Sequence, residues 1–269
     1  IKDSVEFLMY HPYPSSDFVF SEKDSILRTD IFYRKRTFPE HFLATFPAVN
    51  GVNCIVVGTP EKTNKHSSSW IITLLHERFH QFQFNHPNYY SAVDALQLSN
   101  GDETGMWQLN YPFPYQDSSI NQQYNLYTKA LTQDIQTDAV QLKKGSELRS
   151  FIAKQQLKQL LSPAHYRYFS FQLWQEGIAK YTEFKFLELL QQYTPSKELE
   201  VLSDYIPFDR VKASFLESEL KALQYSLLYR EKRVCFYAVG LAEALLLDEV
   251  NPSWKSQYLN NPFNLDAFF

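Results

Sequence analysis

The side chains best placed to do chemistry are His76, Glu77 and His80, within the run His76-Glu77-Arg78-Phe79-His80. On an α-helix, residues i and i+4 share one face, so both imidazoles reach a single metal ion. Glu77, one residue on, stands beside such an ion rather than under it. A carboxylate there can take a proton from a metal-activated water.

The context of the run favours a metal over coincidence. Ser67, Ser68 and Ser69 offer N-cap oxygens ahead of Trp70, Ile71, Ile72, Leu74, Leu75, Phe79 and Phe82. That pattern predicts a helix over 68–85, apolar round most of its circumference and therefore buried. Histidines and a glutamate in a buried helix need partners, because unpaired polar groups there are costly. The competing reading is an exposed helix carrying two unrelated histidines. Upstream, Val52–Val57 is rich in β-branched residues and is bounded by Gly51 and by Gly58-Thr59-Pro60, which predicts a short strand.

A zinc hydrolase usually has three protein ligands and one position open for water. Two residues compete for the third place. His86 follows His76 at the metzincin spacing, H-E-x-x-H-x-x-G-x-x-H, but Gln83 stands where that pattern has its glycine. The glycine permits a sharp turn at positive φ, which glutamine resists. Asn85-His86-Pro87 also reads simply as a helix stop.

The other candidate is Glu176, within Trp174-Gln175-Glu176-Gly177-Ile178-Ala179-Lys180-Tyr181-Thr182-Glu183. With the H-E-x-x-H run, this segment resembles the E-G-x-A-x-Y segment of the gluzincin-type zinc metallopeptidases, which include thermolysin-like enzymes and zinc aminopeptidases. The resemblance covers the 52–57 strand, the metal helix and the Glu176 helix, and it assigns no subgroup. It implies Zn²⁺ held by His76, His80 and Glu176, with Glu77 as general base. It implies an edge strand that holds a peptide or protein substrate by β-augmentation. It also implies a Tyr or His from the downstream helices at the oxyanion. Tyr237 is the first choice, on a helix whose Ala238, Gly240 and Ala242 permit close packing, and His165 and Tyr168 come next. Gly177 and Ala179 are small enough for close approach to the metal helix, and Glu183 could accept a hydrogen bond from a ligand histidine. Arg230 and Arg233 are candidates for a substrate carboxylate. Glu176 is preferred over His86 because the Glu-Gly-x-Ala pattern holds where the metzincin glycine is missing. The simpler readings are a solvated Glu176 and a core Tyr237.

Three functions follow as alternatives: a zinc-dependent peptidase of gluzincin type, a metzincin-type zinc hydrolase using His86, and a non-catalytic zincin-like binding protein. An intact Glu77 argues against the last, since a copy freed from catalysis has no need of it. No G-x-M-E-N exopeptidase motif is present, and Gly58-Thr59-Pro60-Glu61 is a poor echo of it.

Composition narrows the classes. The chain has 269 residues, of which 44% are hydrophobic and 21% charged, as in an ordinary globular protein. A net charge of −4, with no basic run interleaved with aromatics, argues against nucleic acid as a partner. No 18-residue apolar stretch predicts a membrane span. Cys54 and Cys235 do not make a disulfide scaffold, though they could form one bridge. The first residue is Ile1 rather than Met, as removal of a signal or propeptide, or trimming of the chain, would leave it, and this slightly favours an exported protein.

The elements that must carry these residues make an α+β, zincin-like fold. Residues 1–66 form a small β-containing part ending in the expected substrate edge strand at 52–58, with a short helix at Glu22–Arg28. Residues 67–269 form a larger, mainly α-helical part, and 1–269 together make one continuous catalytic domain with the metal at the junction. Residues 86–119 read as a long irregular connection. Helices follow at Ile120–Lys144, ended by Gly145, then from a Ser146 cap with Glu147 in the first turn to Leu161. Others run from Pro163 through Glu176 to Tyr193, over Phe208–Tyr229 and Lys232–Asp248, and over a short Pro252–Leu259.

Overall fold

The computed structural model describes residues 1–137, 142 and 147–269. It is a mixed α and β protein with small N-terminal sheets and a helical remainder. The described chain divides into two compact units, Ile1–Asn85 with Phe186–Val211, and His86–Lys185 with Lys212–Phe269.

In the first unit, β1 (Val5–Met9), β2 (Val19–Asp24) and β3 (Thr29–Lys35) form an antiparallel sheet in the order β1-β3-β2. The period of two is plain in β1, where Glu6 and Leu8 are buried while Phe7 and Met9 are exposed. The buried Glu6 carboxylate is satisfied by the backbone N–H groups of Thr37 (2.7 Å) and Phe38 (2.6 Å) and by Arg34 Nε (2.7 Å). The short helix expected at 22–28 is instead the end of β2 and a hairpin turn. Asp24 Oδ1 accepts from the N–H groups of Ile26 (2.8 Å) and Leu27 (2.7 Å), and Arg28 takes a φ of 53°. An aspartate able to close its own turn defeats the helical pattern there.

The strand predicted at 52–57 is β5 (Val52–Val57), but it does not end the first sheet. It pairs with β4 (Leu43–Val49) in a separate two-stranded antiparallel sheet, with Thr45 opposite Ile55.

Helix α1 (Ser67–Phe84) packs on β4 and β5. None of the three serines is its N-cap; that position is His66. Ser67 donates its N–H (2.7 Å) and its hydroxyl (2.9 Å) to the Asp204 carboxylate, which places a negative charge at the helix N-terminus. Ser68 Oγ donates to Ile206 O (2.6 Å). The helix is also not buried by its apolar residues, for Phe82 is 50% exposed. Its buried stripe is Ser68, Ile72, His76, Glu77, His80 and Gln83, which is mostly polar.

The second unit is helical. Its elements are α2 (Tyr89–Ala95), α3 (Trp107–Asn110), α4 (Ser118–Ile135), α5 (Arg149–Leu160), α6 (Pro163–Gln172) and most of α7 (Ile178–Leu190). After α8 (Lys197–Glu200), which belongs to the first unit, come most of α9 (Phe208–Tyr225), then α10 (Leu228–Glu231) and α11 (Cys235–Val250). Short 3₁₀ turns at Trp254–Asn260 and Leu265–Phe268 close the chain. Asp117 caps α4, and Ser162 caps α6 with Pro163 in the first turn. The expected helix end at Gly145 and cap at Ser146 lie outside the described residues.

Helix α11 is the apolar axis of this unit, with Phe236, Val239, Ala242, Ala244 and Leu247 all fully buried. The 86–119 connection is less irregular than its composition suggests. It holds α2 and α3, and it buries Tyr89, Trp107, Tyr111 and Phe113. Phe113 meets Phe236 edge-on at 5.4 Å, and Tyr111 stacks on Tyr168 at 4.3 Å. Cys54 and Cys235 are both free, and burial pushes the Cys235 thiol up to about 12.

Candidate functional site

In the first unit the helical spacing does what it implies. His76 Nε2 and His80 Nε2 are 3.0 Å apart, and both residues are buried. A tetrahedral zinc holds two ligand nitrogens about 3.3 Å apart, from bond lengths of roughly 2.0–2.1 Å, so the two imidazoles already converge on one point. The rings meet edge-on at 4.7 Å.

Glu77 is buried beside them, 6% exposed. Thr45 Oγ1 donates to its carboxylate at 2.7 Å and lies 3.0 Å from its backbone carbonyl oxygen. The strand in contact with this carboxylate is therefore β4. The expected substrate strand, β5, instead contacts α1 through Asn53 O, which accepts from Gln81 Nε2 (2.7 Å). A cavity of about 1050 Å³ in this unit is lined by β1, β5, the α1 residues Leu74, Arg78 and Gln81, and the C-cap residue Asn85. Those residues occupy the helix face opposite the two imidazoles, so the cavity does not serve them.

In the second unit, Glu176 stands half-buried on a single π-helical turn, Leu173–Gly177, inserted between α6 and α7. A π-turn in a long helix shifts the register and presents its side chains at an angle a regular helix does not offer. Here it is backed by α11, where Gly177 packs on Gly240. Gly177, whose small size suggested close approach to the metal helix, instead packs against Gly240 of α11.

Tyr237, one turn before Gly240, adjoins Glu176. Burial, then the Glu176 carboxylate, pushes the Tyr237 hydroxyl well above the usual tyrosine range, while Arg233 pulls it back. Arg233 Nη1 donates to the Tyr237 oxygen at 2.9 Å. Burial lowers the Arg233 guanidinium, but Tyr237 and Glu176 outweigh it and hold it above its ordinary value. Arg230 instead pairs with Glu231 at the surface (3.4 Å).

The remaining candidates have other partners, although Tyr168 is near enough to Arg233 and Glu176 to feel both charges. His165 packs its ring against Tyr111 (6.0 Å) and Phe113 (5.9 Å), where burial lowers its pKa. Tyr168 donates to Gln108 O (2.9 Å). Glu183 pairs with Lys180 (3.0 Å). His86 lies beyond the end of α1, and its Nδ1 accepts from Asn88 N–H (3.4 Å).

Compared with known proteins, the chain matches no family model, no curated protein and no solved structure. The site is therefore read from its own chemistry.

Two partners of the motif escape a reading of the sequence. Thr45 is distant in sequence and carries no signal. Gln83 does carry one: it lies three residues after His80, on the same helix face, yet it draws notice only as a missing glycine.

Proposed function

We propose that the protein is a zinc-dependent peptidase of gluzincin type, with His76, His80 and Glu176 as metal ligands and Glu77 as general base. The observation that carries this reading is the donor set. One candidate ligand atom from each of His76, His80 and Glu176 lies within 4.8 Å of the other two. Two imidazole nitrogens and one carboxylate oxygen, with a fourth position open, suit a hydrolytic zinc. His86 is not a member of the group, which favours Glu176 over the metzincin alternative.

A zinc ion bound there supplies Lewis acidity, polarising a carbonyl and bringing the pKa of water to about 7. Glu77 accepts the proton of the attacking water and passes it to the leaving amine. Thr45 holds the Glu77 carboxylate while it does so. Tyr237, whose oxygen accepts from Arg233 and whose hydroxyl bonds to the Glu176 carboxylate, is the first choice for the donor to the oxyanion. His165, held among aromatic rings, is the second choice for that role.

The test is Glu77→Gln against wild type, using zinc content and cleavage of a quenched-fluorescence peptide library. The variant keeps zinc and loses cleavage. Retained cleavage would overturn the role of Glu77. A wild type that binds zinc but cleaves no peptide would favour the binding-protein alternative.

A further inference from the structure

We infer that Gln83 is a positioning residue that fixes the tautomer and ring orientation of His80, so that His80 presents an unprotonated Nε2 to a metal. The inference rests on the metal reading above and deepens it. Gln83 is completely buried, and its Oε1 lies 2.7 Å from His80 Nδ1. An amide oxygen can only accept, so His80 Nδ1 carries the proton. A neutral imidazole protonated at Nδ1 has its lone pair at Nε2, the atom 3.0 Å from His76 Nε2. The ring is held on two further sides, stacked on Phe84 (5.7 Å, 14°) and edge-on to His76.

Partners of this kind orient metal-binding histidines, and their loss typically weakens metal affinity by about 10- to 100-fold. In this chain the acceptor comes from the same helix, at i+3. It is also neutral. With Glu176 as the one charged ligand, the proposed Zn²⁺ site keeps a net positive charge, which a carboxylate acceptor at Gln83 would reduce.

The experiment uses the full chain with Gln83→Met, which keeps the side-chain length and removes the acceptor, and Gln83→Glu, which keeps an acceptor. Zinc affinity is measured by competition with a chromophoric chelator, and the His80 tautomer by ¹⁵N NMR of the zinc-free protein. Gln83→Met is expected to bind zinc about 10- to 100-fold more weakly and to lose the Nδ1–H form of His80. Gln83→Glu restores both. If Gln83→Met leaves zinc affinity and tautomer as in wild type, the inference is overturned while the metal reading stands. If the wild type binds no zinc, the metal reading falls, and with it the metal-directed role of Gln83, whatever the tautomer.

Discussion

Gly177 and Gly240 meet backbone to backbone. A Cβ added to Gly177 would lie 2.4 Å from Gly240 Cα, and one added to Gly240 would lie 2.5 Å from Gly177 Cα and 2.7 Å from Leu173 O. The first glycine follows Glu176 directly, and the second lies one turn after Tyr237. This single close approach therefore sets how Glu176 and Tyr237 face each other.

Gly177→Ala should accordingly cost about 1–3 kcal/mol, since the nearest atoms are backbone and cannot turn aside. Gly240→Ala should cost a similar amount. Urea unfolding measures both. On the proposed function, zinc affinity falls as well, because the Glu176 turn must move. A folded Gly177→Ala variant with wild-type stability would show that the contact is not tight.

Much of this was legible in the sequence where local spacing decides the outcome. The i, i+4 pair His76 and His80 converges as its spacing requires, and Pro163 starts α6 as its type predicts. Most of what failed depended on contacts from far along the chain, and one failure was local. Asp204, not a serine, meets the N-terminus of α1. The π-turn at Glu176 leaves no trace in apolar periodicity, and Thr45 reaches Glu77 from a strand that carries no motif. The helix expected at 22–28 lost to a turn closed by Asp24.

Thr45→Val should retain zinc yet lower kcat by about 10- to 100-fold, because the Glu77 carboxylate loses its only β4 hydroxyl donor and its set orientation. Thr45→Ser should recover most of the loss. Equal activity in all three proteins would remove Thr45 from the account.

A buried ionic cluster ties the C-terminal turn to the helices. Lys154 Nζ lies 2.7 Å from Glu243 Oε1 and 2.6 Å from Asp266 Oδ1, while Tyr127 donates to Glu243 and Tyr166 to Asp266. Removing Lys154 leaves Glu243 and Asp266 without the ammonium that bonds both carboxyls. Lys154→Met should therefore cost about 3–5 kcal/mol in denaturant unfolding, and a loss below about 1 kcal/mol would contradict this reading.

The same cluster predicts a pH response of two signs. Burial raises the Asp266 carboxyl, but Lys154 outweighs it and holds the group below its ordinary 3.8. The stability it contributes is present above pH 3.8 and is lost as pH falls through the lowered folded value. Burial holds Glu243 above its ordinary 4.5 despite Lys154, so its contribution is complete below pH 4.5 and is lost as pH rises through the raised value. Thermal melts from about pH 2 to pH 8 should show a shallower acid limb for Asp266→Asn and a smaller decline above pH 4.5 for Glu243→Gln. Parallel curves for all three proteins would contradict the assignment.

The most direct test of the central claim is anomalous diffraction from zinc-soaked crystals, recorded on both sides of the zinc edge. One peak is expected, bonded to His76 Nε2, His80 Nε2 and a Glu176 carboxylate oxygen. A peak held by His86 in place of Glu176, or no peak at these histidines, would contradict it.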